Sequence, residues 1–411
     1  MRVKRTAGSS QHHHLAPVKK ASFQARSVTQ TSHTWATSQR LATIERKYGA
    51  DTVNRVIQAC ERMWELKKDL GIAEHDLFKL SLFIETKLIT RIQKGKFYLS
   101  SEQTKLAKSI EYDPKTKLVF IHHFGKIGEG WHKKVYTSIK YDTSHPELVA
   151  RCVVDLDDAS KKEIAIVKKL KDEPGIAKTY AVLERTDPQS HKEIATIIQK
   201  LYSGHSLYHY QHNPGELSKK EMVIIARDIA QGLDAIHRHD LVHRDLHGGN
   251  ILLADRANGV AAAIIDFGQA AKNSSAKEMA PGIEVPRRFN PPDAFWRTKE
   301  NINAKAVDVY AMGLNLYHLY YGKQAEWAVK EKFAHINDMS KTEKVIFRKK
   351  LEQKMLQQLD SRRHELSNQK DPINRFAALI LQMCDPSPFK RPTAHEAAKR
   401  LNELVCEIEG K

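Results

Sequence analysis

Acidic residues are missing from the first forty positions, which carry Lys, Arg, His, Ser, Thr and Gln but no Asp or Glu and few large apolar groups. Such a stretch cannot bury enough apolar surface to offset the entropy of ordering, so residues 1–40 are expected to form a disordered basic tail that meets acidic surfaces. The same acid-poor, Ser/Arg-rich composition is found in transit peptides, and the run His12-His13-His14 is too short to mark a metal site. Cysteine is scarce as well. Cys60, Cys152, Cys384 and Cys406 lie far apart with no CxxC pair, which argues against a structural zinc site or a disulfide framework and for free thiols in a reducing compartment. No apolar run approaches the length of a membrane span, so a soluble, cytoplasmic protein without a transmembrane segment is expected.

What is present is a chain of 411 residues with a formal charge of +18, long enough for two or three modules and biased toward acidic partners without selecting among them. Residues 41–112 read as a helical N-terminal extension, because Val53, Val56, Ile57 and Cys60, then Leu77, Leu80, Phe83, Ile84, Leu88 and Ile92, recur at three- and four-residue intervals. They carry no recognisable chemistry, so a packing extension or a partner-binding module is expected. After Asp113-Pro114 the pattern changes to short β-rich runs with one helix as far as about residue 200, then becomes mostly helical with a β-like "AAAIIDFG" inside. This predicts an α+β architecture over 113–408, a small strand-rich lobe (about 118–201) followed by a helical lobe (about 202–408) with a cleft between them.

The most specific string is His243-Arg244-Asp245-Leu246-His247-Gly248-Gly249-Asn250, followed by Asp266-Phe267-Gly268. HRDLxxxN with DFG, in this order, is the catalytic-loop and metal-loop pairing of protein kinases, and residues 118–406, about seven tenths of the chain, resemble a eukaryotic-type protein kinase domain. The resemblance implies a bilobal fold, ATP and Mg²⁺ as cofactors and a protein substrate. It makes Asp245 the group that orients and deprotonates the substrate hydroxyl, and Asn250 and Asp266 the oxygen ligands of Mg²⁺. It places Ile127, Gly128, Glu129, Gly130, Val135, Ala150, Lys200 and Tyr202 around ATP, Gln199 at the gatekeeper position, and Glu163 as the C-helix glutamate. Asp293, in the APE-like "FNPPD", is expected to pair with Arg391, and Asp308 to brace the catalytic loop. Arg244 is the residue that receives an activation-loop phosphate in kinases that carry it. Ser274 and Ser275 are candidate phosphosites or ordinary loop serines.

The chain departs from this family in three places. His247 stands where serine/threonine kinases usually carry lysine, and Pro286 where they usually place threonine, a pattern closer to tyrosine kinases. The stretch Glu147–Val154, "ELVARCVV", reads like the lysine-bearing strand with Cys152 in the lysine's place. Alternation along a strand turns Ala150 and Cys152 to the nucleotide side and Arg151 away from it. Aligned on "IGEG" and "KVY", Lys133 replaces the third glycine of the loop, where a four-carbon stem could reach both phosphate and Glu163. Together, Cys152 and Lys133 resemble the with-no-lysine kinases.

Three functions stay open on this reading: a protein kinase using Lys133, with serine/threonine favoured over tyrosine; a pseudokinase scaffold acting through residues 41–112 and the basic tail; and a small-molecule phosphotransferase. The first is favoured because Asp245 and Asp266 are both retained. A eukaryotic enzyme and a bacterial effector delivered into a host cytosol fit equally well.

Overall fold

The computed structural model describes residues 107–113, 116, 118–129, 133–141, 146–186, 191–202, 204–256, 259–273, 291, 303–328, 339–366 and 370–410. The expected tail and the part of the helical extension before residue 107 lie outside these residues. The chain divides into two compact units, Met1–Gly130 with Val135–Glu147, and Trp131–Lys134 with Leu148–Lys411.

In the first unit, β1 (Ala107–Asp113) pairs antiparallel with β2 (Leu118–Glu129), Ile110 lying opposite Ile121 and Tyr112 opposite Val119. The next strand, β3 (Lys134–Tyr141), buries Ser138 and Lys140. Residues 107–112 were expected to belong to the helical extension and are strand instead. Around Ile110 and Tyr112 the apolar residues alternate with Ser109 and Glu111, a period of two that suits pairing with β2 and offers no helical stripe. Where the chain turns from β1 to β2, the Thr116 hydroxyl donates to Asp113 Oδ2 at 2.7 Å.

From Leu148 onward the second unit holds the rest of β4 (Pro146–Asp155), which carries Cys152, then α1 (Asp158–Leu170), β5 (Thr179–Thr186) and β6 (Glu193–Lys200). β6 runs antiparallel to both β4 and β5 and sets Cys152 opposite Ile197 and Ala150 opposite Gln199. Asp157 caps α1 by accepting the Ser160 N–H at 2.7 Å, and Glu163 falls in the buried stripe with Ile164, Val167 and Leu170. A carboxylate in that stripe requires a partner.

Helices α2 (Leu207–His212) and α3 (Lys219–Arg238) follow, the latter begun by a capping box between Ser218 and Glu221. Next come β7 (Leu241–Val242), a 3₁₀ turn (Gly248–Asn250), a hairpin of β8 (Ile251–Arg256) and β9 (Gly259–Ile264), and β10 (Ala271–Lys272), which pairs back onto β7. Then α4 (Ala304–Tyr321) runs buried on all sides, ending at Gly322 with a left-handed φ of 66°. Helices α5 (Lys341–Glu365), α6 (Pro372–Met383) and α7 (Ala394–Glu409) complete the helical C-terminal part. Strands thus dominate the N-terminal part and helices the C-terminal part, an α+β arrangement.

Backbone groups of the hairpin bond to the segment before β5 and to one side chain of α3. The Ile264 N–H donates to the Gly175 carbonyl at 2.8 Å, Ala177 N–H to the Ile264 carbonyl at 3.0 Å, and Ala262 N–H to Asp228 Oδ2 at 3.0 Å. Gly175 and Gly232 touch directly: a Cβ on Gly232 would lie 2.4 Å from the Gly175 oxygen, and Gly175 itself has φ of 69°. Gly232→Ala is therefore expected to cost about 1–3 kcal/mol by overpacking. An unchanged melting temperature in this variant would remove the close contact as a constraint on the fold.

Candidate active site

β7 delivers the segment His243-Arg244-Asp245, and α4 holds its backbone. The Asp308 carboxylate accepts the His243 N–H at 2.8 Å (Oδ2), the Arg244 N–H at 2.9 Å (Oδ1) and the His237 Nε2–H at 3.0 Å (Oδ2). Burial disfavours this charge, but the hydrogen bond and charge of His237 and the backbone N–H of Arg244 outweigh it and hold the carboxyl below its usual range. Arg244 sits at φ 68°, a left-handed conformation that costs a non-glycine residue energy, so it persists because its N–H is held by Asp308. Two turns further along α4, on the same face, Asn315 donates to the Leu246 carbonyl at 3.1 Å. Asn315 and His237 were not singled out in the sequence. The signal for Asn315 was available: an amide seven positions after Asp308 in an otherwise apolar helix.

Asp245 is half-buried, and its carboxyl is pushed up to about 6 by burial and by the neighbouring charge of Asp266. Asn250 Nδ2 donates to the Asp245 carbonyl at 2.9 Å and to Oδ2 at 3.3 Å, which turns the Asn250 carbonyl oxygen, a hard donor, away from Asp245. Asp245 Oδ1 is buried with no hydrogen-bond partner among the described residues. A buried acceptor in that state is able to take a donor from a ligand or from water.

β9 leads into Asp266-Phe267-Gly268. Asp266 also adopts a left-handed φ, 62°, and its Oδ1 accepts the Gly268 N–H at 3.1 Å. Lys133, just before β3, places Nζ against both Glu163 Oε1 and Asp266 Oδ1, the latter at 2.6 Å. One ammonium thus meets two carboxylates. Burial opposes the Lys133 charge, but Asp266 and Glu163 outweigh it and raise its pKa, and Lys133 in turn holds Asp266 below its usual range against burial. Cys152, 8 % exposed, is a core thiol whose pKa burial pushes up to about 12.

Among the other residues singled out in the sequence, Ala150 lies half-buried on β4, with Lys200 and Tyr202 at the end of β6, and the Lys200 ammonium stands 5.8 Å from the Tyr202 ring centroid. Gln199, expected at the gatekeeper position, donates to Thr179 Oγ1 at 3.1 Å. Ile127, Gly128 and Glu129 end β2 and Val135 lies on β3, all in the first unit. Arg391 is buried and donates to the carbonyls of Asp385 (2.7 Å), Ala306 (3.1 Å) and Pro386 (3.1 Å). Gly130, Ser274, Ser275, Pro286 and Asp293 lie outside the described residues. Among the described residues no cluster of three or more His, Cys, Asp or Glu could hold a metal, and no helix is long and apolar enough to cross a membrane.

Comparison with known proteins places this part of the chain in a family. The protein kinase domain model matches residues 121–401. The chain belongs to the protein kinase family. Relatives of this kinase domain include the tyrosine protein-kinase src-1 of Caenorhabditis elegans, 30% identical over 47% of this chain and 35% of that protein. Calcium-dependent protein kinase 9 of Oryza sativa subsp. japonica is 26% identical over 62% of this chain and 39% of its own length. The serine/threonine-protein kinase PknA of Corynebacterium glutamicum is 30% identical over 40% of this chain and 35% of its own. The matched part of the kinase thus spans only a little over a third of these relatives.

The Asp308 network predicts a pH dependence of stability. Because the folded carboxyl titrates below the unfolded one, the kinase domain gains stability above the unfolded pKa of about 3.9 and loses it as pH falls toward the folded value. Asp308→Asn is expected to cost about 3 kcal/mol near neutral pH, since an amide cannot accept all three donors. It should also flatten the acid limb of a plot of denaturation free energy against pH. A variant with the wild-type acid limb would show that Asp308 is not a source of it.

Proposed function

We propose that this protein is an ATP- and Mg²⁺-dependent protein kinase that phosphorylates a serine or threonine hydroxyl, with Lys133 in the role of the strand lysine. The observation that carries the reading is the contact of Lys133 Nζ with both Glu163 and Asp266. A solvated surface lysine would have no reason to be buried against two carboxylates, one of them on the buried stripe of α1. Cys152 then takes the part of a small core residue.

The residues divide the work. Lys133, steadied by Glu163, exchanges Asp266 for phosphate oxygens of the nucleotide, and Asp266 becomes free to bind metal. The donor set suits Mg²⁺, which is held by one or two carboxylates together with substrate phosphates rather than by a protein cage. Bound there through Asp266 and the Asn250 carbonyl oxygen, Mg²⁺ would neutralise charge on the phosphates. Asp245 Oδ1 accepts the hydrogen bond of the substrate hydroxyl. As that oxygen bonds to the γ-phosphorus, the bond from phosphorus to the β–γ bridging oxygen breaks and Asp245 receives the hydroxyl proton. The serine/threonine preference is supported by the name of one of the three relatives, PknA, while another is named a tyrosine kinase. Neither Cys152 nor the identity of His247 argues for it.

Phosphate transfer from radiolabelled ATP to generic protein acceptors tests the proposal. Lys133→Met and Asp245→Asn are expected to lower transfer by about 10²-fold or more, and Cys152→Ala by less than about threefold. Full activity in Lys133→Met would sink the relocated lysine. A wild type inactive toward proteins, with nucleotide binding unaltered by Asp245→Asn, would point instead to a scaffold. Transfer to aminoalcohols alone would point to a small-molecule enzyme.

A further inference from the structure

His247 is left unused by the mechanism above, yet its ring is held in one orientation. The Gly249 N–H donates to His247 Nδ1 at 3.0 Å, and His247 is the N-cap of the 3₁₀ turn that ends at Asn250. A ring nitrogen that accepts a backbone N–H carries no proton, so the proton of the neutral imidazole resides on Nε2. That nitrogen lies 3.8 Å from Asp245 Oδ2, beyond hydrogen-bond distance but near enough for its N–H dipole to act on the carboxylate. The same oxygen accepts from Asn250 Nδ2 at 3.3 Å, while Oδ1 has no partner among the described residues.

Gly249 makes this ring position available. A Cβ there would lie 2.8 Å from His247 Cε1 and 3.0 Å from Nδ1, closer than a side chain can approach without displacing the imidazole. His247 and Gly249 are therefore a matched pair: the glycine supplies both the N–H that selects the tautomer and the space that the ring occupies.

We propose that His247 is a positioning residue for Asp245: its Nε2–H, 3.8 Å from Oδ2, attracts that oxygen electrostatically, adds to the hydrogen bond that Asn250 gives it, and leaves Oδ1 as the acceptor for the substrate hydroxyl. The inference rests on the protein kinase reading. A carboxylate whose two oxygens are equivalent rotates between them, and misplacement of a reacting group by about 1 Å can cost up to 10²-fold in rate. A neutral N–H orients the carboxylate without the full charge of a lysine, which would oppose its role as a proton acceptor.

The two ring nitrogens can be separated by substitution. In His247→Asn the amide oxygen stands near Nδ1 and can still take the Gly249 N–H, but no N–H from position 247 comes near Asp245 Oδ2. In His247→Gln the longer amide presents an N–H near Nε2 and the cap is lost. The expected result for His247→Asn is a melting temperature within about 2 °C of wild type, an unchanged KM for ATP and a kcat lower by about tenfold. His247→Gln is expected to be less stable than His247→Asn yet to retain more kcat, and Gly249→Ala to lose kcat as His247→Asn does. A kcat that tracks melting temperature across the three variants, or stays at wild type in His247→Asn, would overturn the proposal.

Long-range ¹H–¹⁵N correlation spectra of the full chain read the tautomer independently of activity. Expected is an Nε2-protonated His247 that loses its single form in Gly249→Ala; an Nδ1-protonated ring in the wild type would overturn the proposal. A wild type with no Asp245-dependent transfer would overturn the kinase reading and this inference with it. An active wild type with unaffected His247 variants would overturn this inference alone.

Discussion

The buried Asp308 carboxylate is the point on which the site depends. It is 1 % exposed on a helix enclosed on all sides, where an unpaired charge would cost several kcal/mol, and it is tolerated because three N–H groups converge on it. Two of those groups are the backbone amides of His243 and Arg244. The carboxylate therefore answers its own desolvation by fixing the chain that carries Asp245, and the left-handed turn at Arg244 is held by the same bonds. Asn315 repeats the arrangement two turns on, taking the Leu246 carbonyl and accepting Gln211 on its own side chain at 3.1 Å. Helix α4 acts as a fixed edge from which two polar groups reach out, and the loop is set against it.

Around that loop the charges are unevenly supplied. Glu163 and Asp266 share one ammonium, Lys133, whereas among the described residues no Lys or Arg pairs with Asp245, which has the neutral His247 at 3.8 Å. This difference explains the opposite directions of the two aspartates: Lys133 holds Asp266 down, and burial together with the charge of Asp266 lifts Asp245 to about 6. A second lysine at position 152 would bring another ammonium into the same partly buried space, with like-charge repulsion strengthened by the lower dielectric. A thiol held protonated by burial avoids this and packs as a small apolar group opposite Ile197. In the proposed function, Cys152 and Lys133 would be two halves of one change in where the positive charge enters.

Much of this was readable from local strings because their chemistry is local. His243 to Asn250 and Asp266 to Gly268 are short segments whose residue types must stand at fixed offsets, and the structure brings Asn250 onto Asp245 as those offsets imply. The strand-then-helix order was legible for the same reason, in the change from a period of two to a period of 3.6. The error at residues 107–112 arose because a helical pattern ending near Ile92 was carried forward over a segment whose partner, β2, begins only five residues beyond it. His237, Asn315 and the Gly175–Gly232 contact were hidden for another reason. Each acts on a group 57 to 71 positions away, and nothing in a single chain's pattern records a pairing at that range.

The catalytic segment is thus closed at both ends, by different means. At its start, a distant carboxylate collects backbone N–H groups; at its end, the segment closes on itself, Gly249 on His247, Asn250 N–H on the His247 carbonyl at 2.9 Å, and Asn250 on Asp245. The distant clamp fixes where the loop lies in the fold, while the internal bonds fix how the Asp245 carboxylate is turned. Gly248 is required by the first of these, since a Cβ there would come within 2.5 Å of Gln211 Oε1, the residue that braces Asn315. Gly249 is required by the second. The two glycines of "HGGN" therefore serve separate constraints, and with both met one buried carboxylate oxygen, Asp245 Oδ1, is left without a hydrogen-bond partner among the described residues.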